Sequence, residues 1–140
     1  MPHEIVIDTN VLVAALRSRR GAAFQLIRNV GFGLFTANIS VALALEYEAV
    51  LKRKDLVSGL SPGDVDTFLA FLFRSSNLVT SVRLMRPNLP DPGDELVLEL
   101  AVQSLADIVT YYKKDFLWAR RFGVTVLSPP EFLRLLRTVE

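Results

Sequence analysis

Apolar and polar residues alternate in blocks that predict strands followed by helices. Residues 4–8 form a nearly continuous, β-branched run that ends at the turn-like Thr9-Asn10 pair, which is typical of a strand buried on both faces of a parallel sheet. Four similar runs follow. They are LFTAN (34–38), NLVTSV (77–82), DIVTYY (107–112) and VTVLS (124–128).

Helical patterns lie between the predicted strands, and three of them begin at recognisable caps. Ser40, Ser61 and Ser128 are predicted N-caps, the last two followed by proline and by an acid three residues on. A helix is also expected directly after residue 8. The remaining predicted helices span residues 22–30, 40–54, 61–74, 91–105 and 128–139. This alternation predicts an α/β domain, residues 1–140, with a parallel sheet sandwiched by helices.

Composition narrows the possible chemistry. The chain has 140 residues, 51% of them hydrophobic, which is enough for one domain with a sizeable core. It has no cysteine and one histidine, His3 near the start, so thiolate or imidazole zinc sites and a Ser-His-Asp triad are excluded and any metal must be held by oxygen. The 16 basic and 15 acidic residues nearly cancel, so net charge does not decide for or against nucleic acid. We find no membrane span or signal peptide and expect a soluble, cytoplasmic protein.

Three acids occupy positions where a plain surface residue is not expected. Asp8 follows the first strand, at the sheet edge where ligands bind in open parallel sheets, although it could simply cap the next helix. Glu46 falls within the apolar stripe formed by Ala42, Leu43, Ala49 and Val50, where it needs a cation or an ion pair with Arg53.

Asp94 is the third such acid. It begins a helix face continued by Val97, Leu98, Ala101 and Leu105, with Glu95 and Glu99 as an adjacent i, i+4 pair outside that face. A first-turn Asp can also serve the helix dipole alone. Because three converging carboxylates repel each other, a bound Mg²⁺ or Mn²⁺ ion is the economical explanation for the set.

Five segments in order resemble a known family. IVIDTNVLV, ALEYEAVLKR, DPGDELVLELA, ADIVTYYKKDF and FGVTVLSPPEFLRLL resemble the PIN domain, and more narrowly the VapC-type toxins of toxin–antitoxin systems. The resemblance implies a three-layer α/β/α fold with four to five parallel strands and acids at their carboxyl edge. It also implies a metal-dependent ribonuclease, an antitoxin partner and a homodimer.

The resemblance also implies residue roles. Asp8 and Asp94 match principal metal ligands, and Glu46 matches a ligand through water or a base that orients the attacking water. Thr9 and Asn10 support the ligands by hydrogen bonds. At the fourth acidic position this chain has Tyr112, where the family has Asp or Asn, and Asp115 is a nearby substitute. A phenol is a poor ligand for a hard cation, so weakened catalysis is expected.

RNA binding requires cations outside the acid group. The candidates are Arg17, Arg19, Arg20, Lys113 and Lys114, with Arg120 and Arg121, although each run could be a solvated surface. The Phe-rich segment 68–73 is consistent with a dimer contact or an antitoxin groove, and equally with core packing.

Two rival functions remain open. A haloacid dehalogenase-like enzyme also begins with an acid after a strand, but it needs a second acid at the position of Asn10. The other rival is a PIN-like module that binds RNA or protein without cleavage, for which Tyr112 is the best support.

Overall fold

The computed structural model describes residues 3–53, 56–57, 59–83 and 89–139. The strands are β1 (His3–Ile7), β2 (Phe35–Ile39), β3 (Asn77–Leu78), β4 (Asp107–Val109) and β5 (Val126–Leu127). The α-helices are α1 (Thr9–Arg17), α2 (Ala22–Arg28), α3 (Val41–Leu51), α4 (Pro62–Ser75), α5 (Pro92–Ser104) and α6 (Pro129–Val139). A 3₁₀ helix spans Lys113–Phe122.

The five strands form one parallel sheet in the order β3-β2-β1-β4-β5. Helices cover both faces, which gives the predicted three-layer α/β/α fold. β1 lies at the centre, and its residues Ile5, Val6 and Ile7 are buried, as its continuous apolar run predicts. Because all strands run the same way, the residues that follow them meet at one edge of the sheet.

The predicted helix caps are confirmed by their hydrogen bonds. Ser40 Oγ accepts from Leu43 N, and Ser61 forms a reciprocal capping box with Asp64. At α6, Ser128 N donates to Glu131 Oε1 at 2.8 Å and Glu131 N donates to Ser128 Oγ at 3.3 Å. These local signals therefore set where three of the helices begin.

Several predicted elements differ in extent. The run 77–82 forms only the two paired residues of β3, which is the exposed edge of the sheet. The helix predicted over residues 40–54 ends at Leu51, and Lys54 lies outside the described residues. The sequence does not predict the 3₁₀ helix after β4. Because Phe116 within it has a non-helical backbone, its apolar residues do not follow a regular helical period.

The Phe-rich segment of α4 mostly serves the core. Leu72 is buried, Phe68 and Phe71 pack against the core half-buried, and Phe73 is more exposed. Of the two interpretations given above, core packing accounts for most of this segment. Among the described helices, none combines the length and apolar character needed to cross a membrane.

Candidate metal and nucleic-acid site

A cleft of about 750 Å³ opens at the carboxyl edge of the sheet, beside β1 and β4. We call it the acid cleft because five carboxylates line it. They are Asp8, Glu46, Asp91, Asp94 and Asp115. The four acids proposed from the sequence as catalytic thus line one cleft, together with Asp91.

Asp8 is both a helix cap and a cleft residue. It is the N-cap of α1, and its Oδ1 accepts a hydrogen bond from Thr9 N at 2.8 Å. Its Oδ2 accepts from Asn10 Nδ2 and, at 2.8 Å, from the Thr110 hydroxyl. Burial raises the pKa of Asp8, and these three hydrogen bonds oppose that rise by stabilising the charged form. Thr9 and Asn10 therefore both donate hydrogen bonds to the Asp8 carboxylate, Thr9 through its backbone N–H and Asn10 through its side chain.

Thr110 connects β4 to Asp8 and was missed as a site residue. Its side chain is fully buried, and besides donating to Asp8 its oxygen accepts from Asn10 Nδ2 at 3.1 Å and Tyr112 N at 3.0 Å. Asn10 Oδ1 in turn accepts from Tyr111 N at 3.0 Å. The sequence does contain a signal for this role. Thr110 ends a predicted strand of the same parallel sheet as the strand before Asp8, so both residues are expected at the same edge of the sheet.

Asp94 is held half-buried in the first turn of α5, which begins at Pro92 after the N-cap Asp91. Burial is the main cause that raises the pKa of Asp94 to about 7, followed by the negative charges of Asp8, Asp91, Asp115 and Glu46. This carboxyl group therefore experiences the combined field of all the other acids in the cleft.

Glu46 packs against the start of α5. A Cβ atom placed on Gly93 would lie 3.0 Å from Glu46 Oε1 and 3.2 Å from Asp91 Oδ1, so a larger residue here would press on both carboxylates. Gly93 N also donates to Asp91 Oδ1 at 2.7 Å. The carboxylates of Glu46, on α3, and of Asp91, at the start of α5, therefore both lie beside Gly93, the residue before Asp94.

The buried face of α3 differs from the predicted one. Leu43, Tyr47 and Leu51 are buried, whereas Ala42 and Ala49 are exposed and Glu46 is half-buried at the margin. The reason is that the Tyr47 ring enters the core, where its hydroxyl donates to Ile7 O.

The proposed pairing of Glu46 with Arg53 is also not seen. Both side chains line the cleft, but no ion pair joins them in the described part of the chain. Glu46 therefore faces the cleft without the neutralising arginine that the alternative required.

The second face of α5 was also predicted wrongly. Glu95 and Glu99 are buried, and Leu105, expected on the buried face, is 91% exposed. Glu95 Oε1 accepts from Leu89 N at 2.7 Å, and Glu95 does not line the acid cleft. The helix is covered over a wider arc than its apolar residues indicate, because it packs against the sheet, α3 and the 3₁₀ helix.

The basic residues are divided among different surfaces. Arg17 lines the cleft, with its Nε donating to Leu56 O at 2.7 Å, and Arg53 lines it too. Lys113 instead pairs with Glu131 at 2.9 Å and faces a separate cavity. The other candidates do not line the acid cleft; they are Arg19, Arg20, Lys114, Arg120 and Arg121.

The oxygen donors of the acid cleft are of the type that binds a hard divalent cation, but they do not form a preassembled metal site. Five carboxylates face two arginines in the cleft, so negative charge is in excess, and carboxylate oxygens are the ligands that Mg²⁺ and Mn²⁺ prefer. Within the described ranges, however, no three acidic or histidine side chains converge closely enough to hold an ion.

The departure at position 112 is visible in the cleft. Tyr112 lies on its wall where the resemblance expects an acid or amide, and it is 60% exposed. Asp115 lines the same wall from the first turn of the 3₁₀ helix, with its backbone N donating to Tyr112 O at 3.0 Å. Asp115 thus brings a carboxylate to the cleft next to Tyr112.

Residues 4–113 match the family model of the PIN domain, so the chain belongs to the PIN domain family. Solved structures share the fold at low identity. VapBC2 from Rickettsia felis, solved bound to a DNA fragment from its promoter, aligns with a TM-score of 0.62 at 13% identity over 89% of this chain and 98% of that one.

Two further solved structures agree. FitAB bound to the IR36 DNA fragment gives a TM-score of 0.59 at 15% identity over 89% of this chain and 94% of that one. A PilT N-terminus domain protein from Sulfolobus solfataricus P2 aligns with a TM-score of 0.56 at 16% identity, over 95% of this chain and 92% of that one. No curated protein matches the sequence.

Proposed function

We propose that residues 1–140 form a single PIN-like domain that hydrolyses RNA phosphodiester bonds with Mg²⁺ or Mn²⁺, as the toxin of a toxin–antitoxin pair. The observation that carries this proposal is the acid cleft. Asp8, Glu46, Asp94 and Asp115 come from four separate parts of the chain, yet all four line it. PIN domains are generally nucleases, which supports the same reaction class.

In this proposal, Asp8 and Asp94 would hold the cation directly, and Glu46 would contribute through water or orient the attacking water. When bound, the ion lowers the pKa of water and stabilises charge that develops at phosphorus. Thr9, Asn10 and Thr110 fix the Asp8 carboxylate through its three hydrogen bonds.

Arginines and a further acid complete the proposed active site. Arg17 and Arg53 line the cleft and are the side chains we assign to phosphate contact. Asp115 supplies the carboxylate that Tyr112 does not. Arg19, Arg20, Lys113 and Lys114 stay predictions for RNA contact outside the cleft.

The proposed partners are an antitoxin protein and a second copy of this chain. The shared fold with VapBC2 and FitAB supports the first. For the second, Val41 and Leu45 on α3 are exposed apolar residues one turn apart, whereas the Phe-rich segment is largely used in the core. Light scattering at micromolar concentrations should return the dimer mass, and monomer mass throughout would contradict this part. An RNA substrate is consistent with a cytoplasmic location.

Metal binding can be tested apart from catalysis. Millimolar Mn²⁺ or Mg²⁺ should raise the melting temperature, because the ion binds the native state and relieves carboxylate repulsion. Asp8→Asn should remove most of this rise. Glu46→Gln should reduce it, while Glu48→Gln, on the same helix beside Lys52, should not. An unchanged wild-type melting temperature would refute the metal site.

Cleavage of one labelled single-stranded RNA tests the reaction itself. We expect slow, manganese-preferring cleavage by the wild type, loss in Asp94→Asn, a smaller loss in Asp115→Asn, and a faster maximal rate in Tyr112→Asp because a fourth acid is restored. Equal cleavage by all variants would indicate a contaminating nuclease and contradict the proposal.

A module that binds RNA or protein without cleaving is the second candidate. Tyr112 in the cleft wall and the absence of a converged cluster among the described acids favour it. Retained RNA binding with no cleavage by the wild type or Tyr112→Asp would support this candidate over the nuclease.

A further inference from the structure

Two adjacent tyrosines stand on the wall of the acid cleft. Tyr111 and Tyr112 come after β4 and Thr110, and they are 41% and 60% exposed. Both line the cleft that contains the acids. Within the described part of the chain, neither ring packs against another aromatic ring and neither phenol has a hydrogen-bond partner. Two tyrosine rings with exposed surface are therefore presented beside the proposed reaction site.

The backbone of this pair is held by the residues that fix Asp8. Tyr111 N donates to Asn10 Oδ1 and Tyr112 N donates to Thr110 Oγ1, both at 3.0 Å. Asn10 and Thr110 also bind the Asp8 carboxylate. The backbone from which each ring projects is therefore fixed relative to the Asp8 carboxylate.

The charge of the cleft determines what kind of attraction these rings can add. With five carboxylates against Arg17 and Arg53, the cleft does not attract a polyanion by charge alone. Stacking of nucleobases on aromatic rings does not depend on phosphate charge, and it requires bases that are not paired in a duplex. An exposed tyrosine pair is suited to supply that attraction.

We propose that Tyr111 and Tyr112 form a base-stacking platform that binds unpaired nucleotides next to the acids and makes the site selective for single-stranded RNA. This proposal rests on the proposed RNA substrate and adds the strand selectivity and the residues responsible. It assigns position 112 a use in binding, so Tyr112→Asp should weaken RNA binding even where it raises the maximal rate.

Binding is measured with a fluorescent oligoadenylate by anisotropy, in Mg²⁺ and in the Asp94→Asn background so that the RNA stays intact. Tyr111→Leu and Tyr112→Leu should each weaken binding roughly 5- to 150-fold, the range for one stacked base. Tyr111→Phe and Tyr112→Phe keep the ring and should stay within twofold of the tyrosine. Phe32→Leu is the matched control, since Phe32 is 72% exposed but precedes β2 at the opposite edge of the sheet.

Two further readouts separate stacking from a structural effect. A 2-aminopurine base in the oligonucleotide should lose fluorescence on binding, and the double Tyr→Leu variant should abolish that loss. The same variant should narrow the preference for single-stranded over duplex RNA, while its melting temperature stays that of the background.

The outcomes distinguish this inference from the nuclease proposal. Stacking in a chain that never cleaves RNA would support the platform and refute the nuclease. Cleavage with leucine variants that bind single strands as tightly as tyrosine would refute the platform alone. Equal weakening toward single strands and duplex would also refute it, because stacking requires unpaired bases.

Discussion

Replacing Thr110 by valine tests whether the buried hydroxyl holds Asp8 in place. The two side chains have nearly the same shape, so the change removes the hydroxyl with little loss of packing. Thr110 Oγ1 donates to Asp8 Oδ2 at 2.8 Å and accepts from Asn10 Nδ2 and Tyr112 N. Valine can make none of these bonds.

The magnitude follows from the bond to Asp8. A hydrogen bond to a charged group contributes about 1.5–3 kcal/mol, and the other two donors lie near the cleft, where water can replace the hydroxyl. We therefore expect Thr110→Val to lower the free energy of unfolding by roughly 1.5–3 kcal/mol near pH 8. Urea denaturation without divalent metal should show a lower midpoint with an unchanged slope.

Thr9→Val is the matched control for this substitution. Thr9 is also β-branched and lines the cleft, but it supports Asp8 through its backbone N–H, which valine retains. Its free energy of unfolding should stay within about 0.5 kcal/mol of the wild type.

The pH dependence gives a second check. The Thr110 bond lowers the pKa of Asp8 and therefore favours its charged form. The cost of Thr110→Val should shrink as pH falls and Asp8 becomes protonated. A variant as stable as the wild type at pH 8, or a cost that does not change with pH, would refute the role of this hydroxyl.

Three other changes probe the site and its surroundings. The pKa of Asp94 is raised from 3.8 to about 7, so its negative charge opposes folding. The melting temperature of the metal-free protein should therefore fall as the pH rises from about 4 to about 7, and it should fall less in Asp94→Asn. Gly93→Ala should reduce the melting-temperature rise given by Mn²⁺, since the new methyl group would press on Glu46, and an unchanged rise would contradict that contact. Leu105 has a φ of 53° and is 91% exposed, so Leu105→Gly should raise the free energy of unfolding by about 1 kcal/mol in urea titrations, whereas Leu105→Ala should give no such gain.

The sequence was most informative where the physics is local. Ser40 and Ser61 cap their helices as predicted because the signal lies within four residues. The buried β-branched run of β1 identified the central strand. Asp8 could be proposed from its position alone, since the end of a parallel strand is the edge where ligands bind.

The sequence was least informative where neighbouring elements decide. A helical wheel gives the angles between residues but not the width of the arc that the core covers. For this reason the helical wheel places Glu95 and Glu99 outside the buried face of α5. For the same reason it centres the buried face of α3 on Glu46, although the buried residue is the neighbouring Tyr47. The role of Thr110 depends on contacts to residues about a hundred positions away, which no local pattern encodes.

The order of the strands also bears on how the protein is made. β1 pairs with β2 on one side and with β4 on the other. The carboxyl edge of the sheet around Asp8 is therefore complete only after residues 107–109 have been synthesised and have paired with β1. At about 5–20 residues per second, roughly 5–20 seconds of translation separate Asp8 from Asp115. A ribosome-bound chain that has not reached α5 carries only Asp8 and Glu46 of the four acids. In the proposed nuclease the acids of α5 and of the 3₁₀ helix take part in cleavage, so we expect a growing chain to gain that activity only after the last strands have joined the sheet.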